Sequence, residues 1–148
     1  MLHIKTILCP TDFSEPAREA LNVASDFAHH FGAELRLLHV VPVLPTLPPD
    51  PNFVFKVPEY ERFLHRDAEK NLQTLKTELS AKSIRVTTSV THGYAAEEII
   101  RAAEAEKADM IVIATHGGTG WQHLIFGSVA EKVVRLASCP VLTIRKRQ

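Results

Sequence analysis

The sequence contains little that would direct the protein to a membrane or to nucleic acid. Lysine and arginine together number 17, as do aspartate and glutamate, so the balanced charge gives no reason to expect binding to nucleic acid or to an anionic membrane surface. No apolar run approaches the roughly 20 residues that a membrane-spanning helix needs. The first residues pass straight into a strand pattern without a signal-peptide cleavage site. We therefore expect a cytoplasmic protein.

The sequence also offers no pattern typical of a disulfide framework or of a metal site. The two cysteines, Cys9 and Cys139, are far apart in sequence and have no metal-ligand spacing around them. Both flank apolar segments, so we expect two buried free thiols. His29, His30 and His123 lack a coherent set of partners, and no metal site is predicted.

What the sequence does contain is a regular alternation of short apolar runs and amphipathic segments. Strands are predicted at residues 3–9, 34–41, 84–91, 110–113 and 140–145, the third of them at a sheet edge. Helices are predicted between Ser14 and Gly32 and at residues 59–83, 95–107 and 128–137. This alternation indicates an α/β fold: an open, five-stranded parallel sheet with helices on both faces, three layers in all. A chain of 148 residues suits one domain, spanning residues 1–148.

A proline-rich segment at residues 42–58 interrupts the alternation. It holds six of the nine prolines, and proline prevents a helix or a central strand from running through. We interpret it as an ordered or semi-ordered lid loop, within which Phe53, Val54 and Phe55 need burial. A plain surface loop is the alternative.

The loop between Ala114 and Ser128 is the strongest functional signal. It follows a short apolar run, contains four glycines before Ser128, and leads into the last predicted helix. The first turn of a helix has backbone N–H groups without partners and a dipole that favours negative charge, so this loop can hold a phosphate. The alternative is an ordinary strand-to-helix connection in which Ser128 is the N-cap. We expect Trp121 and Phe126 to anchor the loop in an apolar pocket.

No lysine or arginine occurs between Ala114 and Ser128, and there is no Walker A pattern. A phosphate would therefore depend on main-chain N–H groups and on the Ser128 hydroxyl. Mg²⁺ could assist by bridging phosphates, since it commonly binds with few protein ligands.

Three segments resemble the universal stress protein family. They are residues 7–14 (ILCPTDFS), residues 37–40 (LLHV), and residues 114–128 followed by VAEKV. The glycine signature of the family is glycine, two residues, glycine, nine residues, and then Gly-Ser or Gly-Thr. Gly117, Gly127 and Ser128 match it, whereas Ala114 occupies the first glycine position.

The resemblance implies a strand order of 3-2-1-4-5 and an ATP- or AMP-binding site where the sheet order reverses, between strands 1 and 4. It also implies a stress-response sensor or regulator that forms a homodimer through residues 141–145. In such a protein the ligand contacts would divide into two groups. Adenine and ribose would meet Pro10, Thr11, Asp12 and Val40, while ribose and phosphates would meet Ala114, His116, Gly117, Gly127, Ser128 and Val129.

Several alternatives remain open for single residues and for the whole protein. Asp12 could merely cap the region of the first helix, and His39 is more readily a packed histidine at a strand end than a ligand. There is no positioned acid–base pair, so we expect a binding protein with at most slow ATP hydrolysis. A nucleotide-free interaction dimer is a second possibility. A receiver-like signalling domain is a third, but it would need an acidic cluster where only Asp12 is found.

Overall fold

The computed structural model describes residues 2–44, 57–118 and 126–146. Strands and helices alternate along these residues, and all five strands are parallel. The order of the strands in the sheet is β3-β2-β1-β4-β5, which confirms the predicted fold and the predicted edge position of the third strand. The elements are β1 (Thr6–Pro10), α1 (Glu15–Phe31), β2 (Glu34–Pro42), α2 (Val57–Ser80), β3 (Val86–Gly93), α3 (Ala95–Ala105), β4 (Met110–Ala114), α4 (Ser128–Leu136) and β5 (Val141–Ile144).

Each face of the sheet carries its own apolar core. One core packs α1 and α2 against the sheet through residues such as Leu21, Leu37 and Leu72. The other packs α3 and α4 against the opposite face through residues such as Leu38 and Ile111. Because consecutive strand residues point to opposite faces, the neighbours Leu37 and Leu38 lie in different cores. This produces the three predicted layers.

The first helix begins and ends as predicted. The Ser14 hydroxyl accepts a hydrogen bond from the backbone N–H of Ala17 at 3.3 Å, and Pro16 lies in the first turn. Gly32 ends the helix with a φ of 65°, a left-handed conformation that glycine adopts without strain.

Two elements begin at residues other than those predicted. The first strand begins at Thr6 rather than residue 3. At its start the N–H groups of Lys5 and Thr6 donate to the Asp109 carboxylate at 2.8 and 2.9 Å. The second helix begins at Val57, so Pro58 lies inside it, which corrects the expectation that no helix enters residues 42–58. Proline is tolerated there because the N–H groups of a first helical turn have no partner to lose.

The third strand also differs from the predicted residues 84–91: it continues to Gly93, because Gly93 still pairs with Pro42 of β2. Phe63 of α2 is 59% exposed. Most of the proposed lid loop, residues 45–56 with Phe53, Val54 and Phe55, lies outside the described residues. Among the helices of the described ranges, none is long and apolar enough to cross a membrane.

Candidate functional site at the switch point of the sheet

A cleft of about 500 Å³ opens at the carboxyl ends of the central strands. It lies where β1 and β4 separate: their ladder contains only the pairs Ile7–Met110 and Leu8–Ile111, although both strands continue beyond it. Pro10 has no N–H group with which to extend the ladder. Ligands of open α/β sheets bind at such a point, where the strand order reverses.

All ten site residues predicted from the sequence line this cleft. The turn after β1 contributes Pro10, Thr11 and Asp12, and the end of β2 contributes Val40. The remaining six come from the end of β4, the glycine loop and the start of α4: Ala114, His116, Gly117, Gly127, Ser128 and Val129. The structure thus brings together residues that lie more than 100 positions apart in the chain.

Hydrogen bonds hold the turn after β1 and connect it to the glycine loop. Oδ1 of Asp12 accepts from the N–H of Ser14 at 3.0 Å and from the Ser14 hydroxyl. Its Oδ2 accepts from the N–H of Gly118 at 3.1 Å. Asp12 therefore does act locally near the start of α1, as the alternative interpretation suggested. The same carboxylate also fixes the start of the glycine loop at Gly118.

Among the described residues, no side chain caps the start of α4. Gly127 is the N-cap and Ser128 is the first helical residue, so the alternative in which Ser128 is an N-cap is wrong. The Gly127 N–H donates to the Thr115 carbonyl at 2.6 Å, which joins the helix start to the end of β4. Ser128, Val129 and the buried Ala130 all line the cleft, so the first turn of α4 faces it. N–H groups of such a turn are the donors that an anion can use.

The charge of the cleft is sparse. Among the described lining residues there is no lysine or arginine, and Asp12 is the single carboxylate. His116 lies in the glycine loop, where its Nδ1 contacts the Thr115 hydroxyl at 2.9 Å. Its Nε2 is enclosed and has no hydrogen-bond partner among the described residues.

Sequence reasoning missed eight residues of the cleft. Leu38 and Ile113 belong to the same apolar runs as Val40 and Ala114, so the strand ends could have indicated them. Ala95 and Ile99 come from α3, for which no motif gave a signal. The eight residues are Ala17, Leu38, His39, Ala95, Ile99, Ile113, Thr115 and Ala130.

Other predictions about side chains near the site had mixed outcomes. His39 packs as predicted, with its ring stacked on Phe13. Phe126 is 37% exposed, so the expectation that it anchors the loop is wrong; Trp121 and His123 lie outside the described residues. Cys9 is buried, whereas Cys139 is only half-buried. Within the described part of the chain, no three histidine, cysteine or acidic side chains are grouped so that they could hold a metal ion.

Fold and cleft together define a doubly wound α/β protein with a site at its switch point. The model of the universal stress protein family matches residues 3–145, and the chain belongs to this family. Universal stress protein MJ0531 of Methanocaldococcus jannaschii is 35% identical, over 96% of this chain and 82% of the relative. Universal stress protein MJ0577 of the same organism is 31% identical, over 97% and 96%.

Solved structures show the same fold. The structure of MJ0577 has a TM-score of 0.83, with 31% identity, 100% of this chain covered and 99% of that chain. Universal stress protein UspA from Lactobacillus plantarum has a TM-score of 0.85 at 24% identity, covering 97% and 99% of the two chains. At that identity the likeness concerns the fold alone.

Proposed function

We propose that this chain binds an adenine nucleotide, ATP or AMP, in the cleft and acts as a nucleotide-dependent sensor or regulator in the stress response, as a homodimer. The observation that best supports the proposal is that one cleft contains both an apolar wall and the start of α4, where the described residues provide no side-chain cap. A nucleotide has a matching apolar base at one end and an anionic group at the other.

The base end of the cleft would be formed by β2 and α3. Leu38, Val40 and Ile99 provide apolar surface for a purine ring. The Leu38 carbonyl faces β1, since it accepts a hydrogen bond from Thr11. Alternate residues of a strand direct their backbone N–H and C=O groups to the same side, so the N–H and C=O of Val40 also point toward β1. Val40 lies beyond the last β1–β2 pair, which joins Pro10 and Leu38. In the proposed complex, the Val40 N–H and C=O would hydrogen-bond the edge of the base.

The phosphate end would be formed by α4 and the glycine loop. Hydrogen bonds to a charged group contribute roughly 1.5–3 kcal/mol each, so several N–H groups and the Ser128 hydroxyl could hold a phosphate without a cation. The Asp12 carboxylate, between the two ends, can accept from ribose hydroxyls.

Structures of related proteins support an adenine nucleotide as the ligand. A universal stress protein in complex with cAMP has a TM-score of 0.67 to this chain, and one from Archaeoglobus fulgidus in complex with dAMP has 0.66. Both are 20% identical, so they share the fold and provide a precedent for the ligand class.

Calorimetric titration with AMP and ATP, each with and without Mg²⁺, tests the proposal. Because no lysine or arginine is among the described lining residues, we expect comparable affinities for AMP and ATP without metal, and a gain for ATP when Mg²⁺ is added. GMP is the matched control for base recognition and is expected to bind more weakly. Absence of binding by both adenine nucleotides would overturn the proposal, and a metal-independent preference for ATP would refute its account of the phosphates.

A further inference from the structure

We propose that His39 is a positioning residue for this site: the hydrogen bond from its Nδ1 to the Thr11 carbonyl fixes the turn that carries Asp12 and, through Asp12, the glycine loop. The contact is 2.8 Å long. A carbonyl oxygen can only accept, so Nδ1 carries the proton. The expected effect on AMP affinity rests on the proposed nucleotide binding, whereas the contacts of His39 with the turn do not.

The turn after β1 depends on β2 because β4 gives it little support. The ladder from β1 to β4 ends at Leu8, two residues before Pro10. On the other side, the Thr11 N–H donates to the Leu38 carbonyl at 2.8 Å, and the Thr11 carbonyl accepts from His39. Both backbone polar groups of Thr11 are thus held by β2, one of them through a side chain. Without the His39 donor, Thr11 would keep only the hydrogen bond from its N–H to the Leu38 carbonyl as its link to β2.

The turn also contains local strain that the same histidine helps to offset. Phe13 has a φ of 64°, in the left-handed region that a bulky residue adopts only at a cost. Its ring stacks on the His39 ring, with 4.7 Å between centroids, and packs against the core beneath α1 and α2. The Phe13 N–H donates to the Thr11 hydroxyl at 3.0 Å. His39 therefore contacts both ends of the strained segment.

The effect reaches the phosphate end of the cleft through Asp12. The Asp12 carboxylate joins the turn to the Gly118 N–H, and Oδ2 lies only 2.8 Å from where a Cβ on Gly117 would be. The turn and the described start of the glycine loop, Gly117 and Gly118, are so closely fitted that a displacement of one would move the other. A binding site works only when its groups are held to within about 0.5 Å of the productive geometry.

Three substitutions separate this role from simple packing. In His39→Asn, the side-chain amide nitrogen can take the place of Nδ1 and keep the donor. In His39→Gln, the amide lies farther out, near the place of Nε2, and in His39→Leu the donor is lost. His29→Leu, on the exposed end of α1, is the matched histidine control. Each variant is titrated with AMP, and the Gly118 amide is followed by NMR hydrogen exchange without ligand.

We expect His39→Leu and His39→Gln to lose about tenfold in AMP affinity, the equivalent of about 1.4 kcal/mol. We expect His39→Asn to recover most of that loss and His29→Leu to have no effect. Exchange of the Gly118 amide should be faster in the Leu and Gln variants than in the wild type. Equal affinities and equal Gly118 exchange across the His39 series would overturn the inference, as would an Asn variant no better than Gln. If the wild type binds no nucleotide, the proposed function fails, but the exchange data still decide the positioning role.

Discussion

At the scale of single residues, the site depends on close approach. Gly127 has a φ of −71°, which any residue can adopt, so its backbone conformation does not require glycine. What requires it is space: a Cβ there would be 3.0 Å from the Thr115 carbonyl oxygen and 3.7 Å from Cα of His116. Both neighbours are backbone atoms, which cannot rotate away as a side chain can. The missing side chain lets α4 begin directly against the end of β4.

Gly127→Val is therefore expected to push the start of α4 away from β4. We expect AMP affinity to fall by more than about tenfold, because several hydrogen bonds to the phosphate, each contributing roughly 1.5–3 kcal/mol, would weaken together. Calorimetry measures the affinity, and thermal unfolding shows whether the variant folds. The control is Gly118→Ala, whose Cβ would meet, among the described residues, only Ser14 Cβ at 3.4 Å and should have the smaller effect. A folded Gly127→Val protein with wild-type affinity would place the phosphates elsewhere.

The two thiols are expected to differ sharply in reactivity. Burial raises the pKa of the Cys9 thiol from 9.0 to about 12. Partial burial also raises the pKa of the Cys139 thiol, but this side chain is only half-buried and stays accessible to a reagent. Because the thiolate is the reactive species, a thiol reagent at pH 8 should label one cysteine in the folded protein and two after denaturation. Labelling of Cys9 in the folded protein at the rate of Cys139 would contradict this.

The raised pKa of Cys9 also determines how the free energy of unfolding changes with pH. Below pH 9 both the folded and the unfolded chain keep the Cys9 proton, and its contribution is constant. Between pH 9 and pH 12 the unfolded chain loses the proton while the folded chain retains it, so the free energy of unfolding falls as pH rises. Chemical denaturation of the wild type and of Cys9→Ala across this range measures the difference, which should shrink as the pH rises.

At the scale of helices and strands, the sequence predicted those features that depend on residues close together in the chain. Ser14 and Gly32 bound α1 because capping and a left-handed turn are properties of those residues. The convergence of Asp12 and Gly117 followed from their positions after two neighbouring parallel strands. The bond from Gly118 to Asp12 joins residues 106 positions apart, and no local pattern encodes it. The exposure of Phe63 depends likewise on which neighbours the rest of the chain provides.

The start of α4 gives a prediction in which stability and binding move in opposite directions. A negative charge in the first turn of a helix stabilises it by roughly 0.3–1 kcal/mol, so Ser128→Asp should raise the free energy of unfolding. The same charge would repel a phosphate at that turn, so affinity should fall, and more for ATP than for AMP. Ser128→Asn is the neutral control. Thermal unfolding and calorimetry measure the two effects, and an Asp variant that keeps its nucleotide affinity would show that α4 does not hold the phosphates.

At the scale of the whole molecule, the proposed homodimer would form through one edge of the sheet, strand β5. Strand β5 pairs with β4, and each of its four residues is partly exposed. The carbonyls of Pro140 and Ile144 accept from the β4 side, from Ile111 and Thr115 at 2.9 Å each. Since backbone groups alternate in direction along a strand, those of Val141 and Thr143 point to the open edge. An open apolar edge is a site for pairing with another chain.

Thr143→Pro uses this alternation to test the dimer. Proline removes one N–H that points outward and leaves the ladder to β4 intact, which is why proline is tolerated on edge strands. We expect a dimer for the wild type and a folded monomer for Thr143→Pro, measured by light scattering. Thr143→Val keeps the N–H and should remain dimeric. Leu142→Pro removes an N–H that faces β4 and should destabilise the fold itself, so the pair of proline variants separates loss of pairing from loss of structure. A Thr143→Pro protein that remains dimeric would show that the copies associate through another surface.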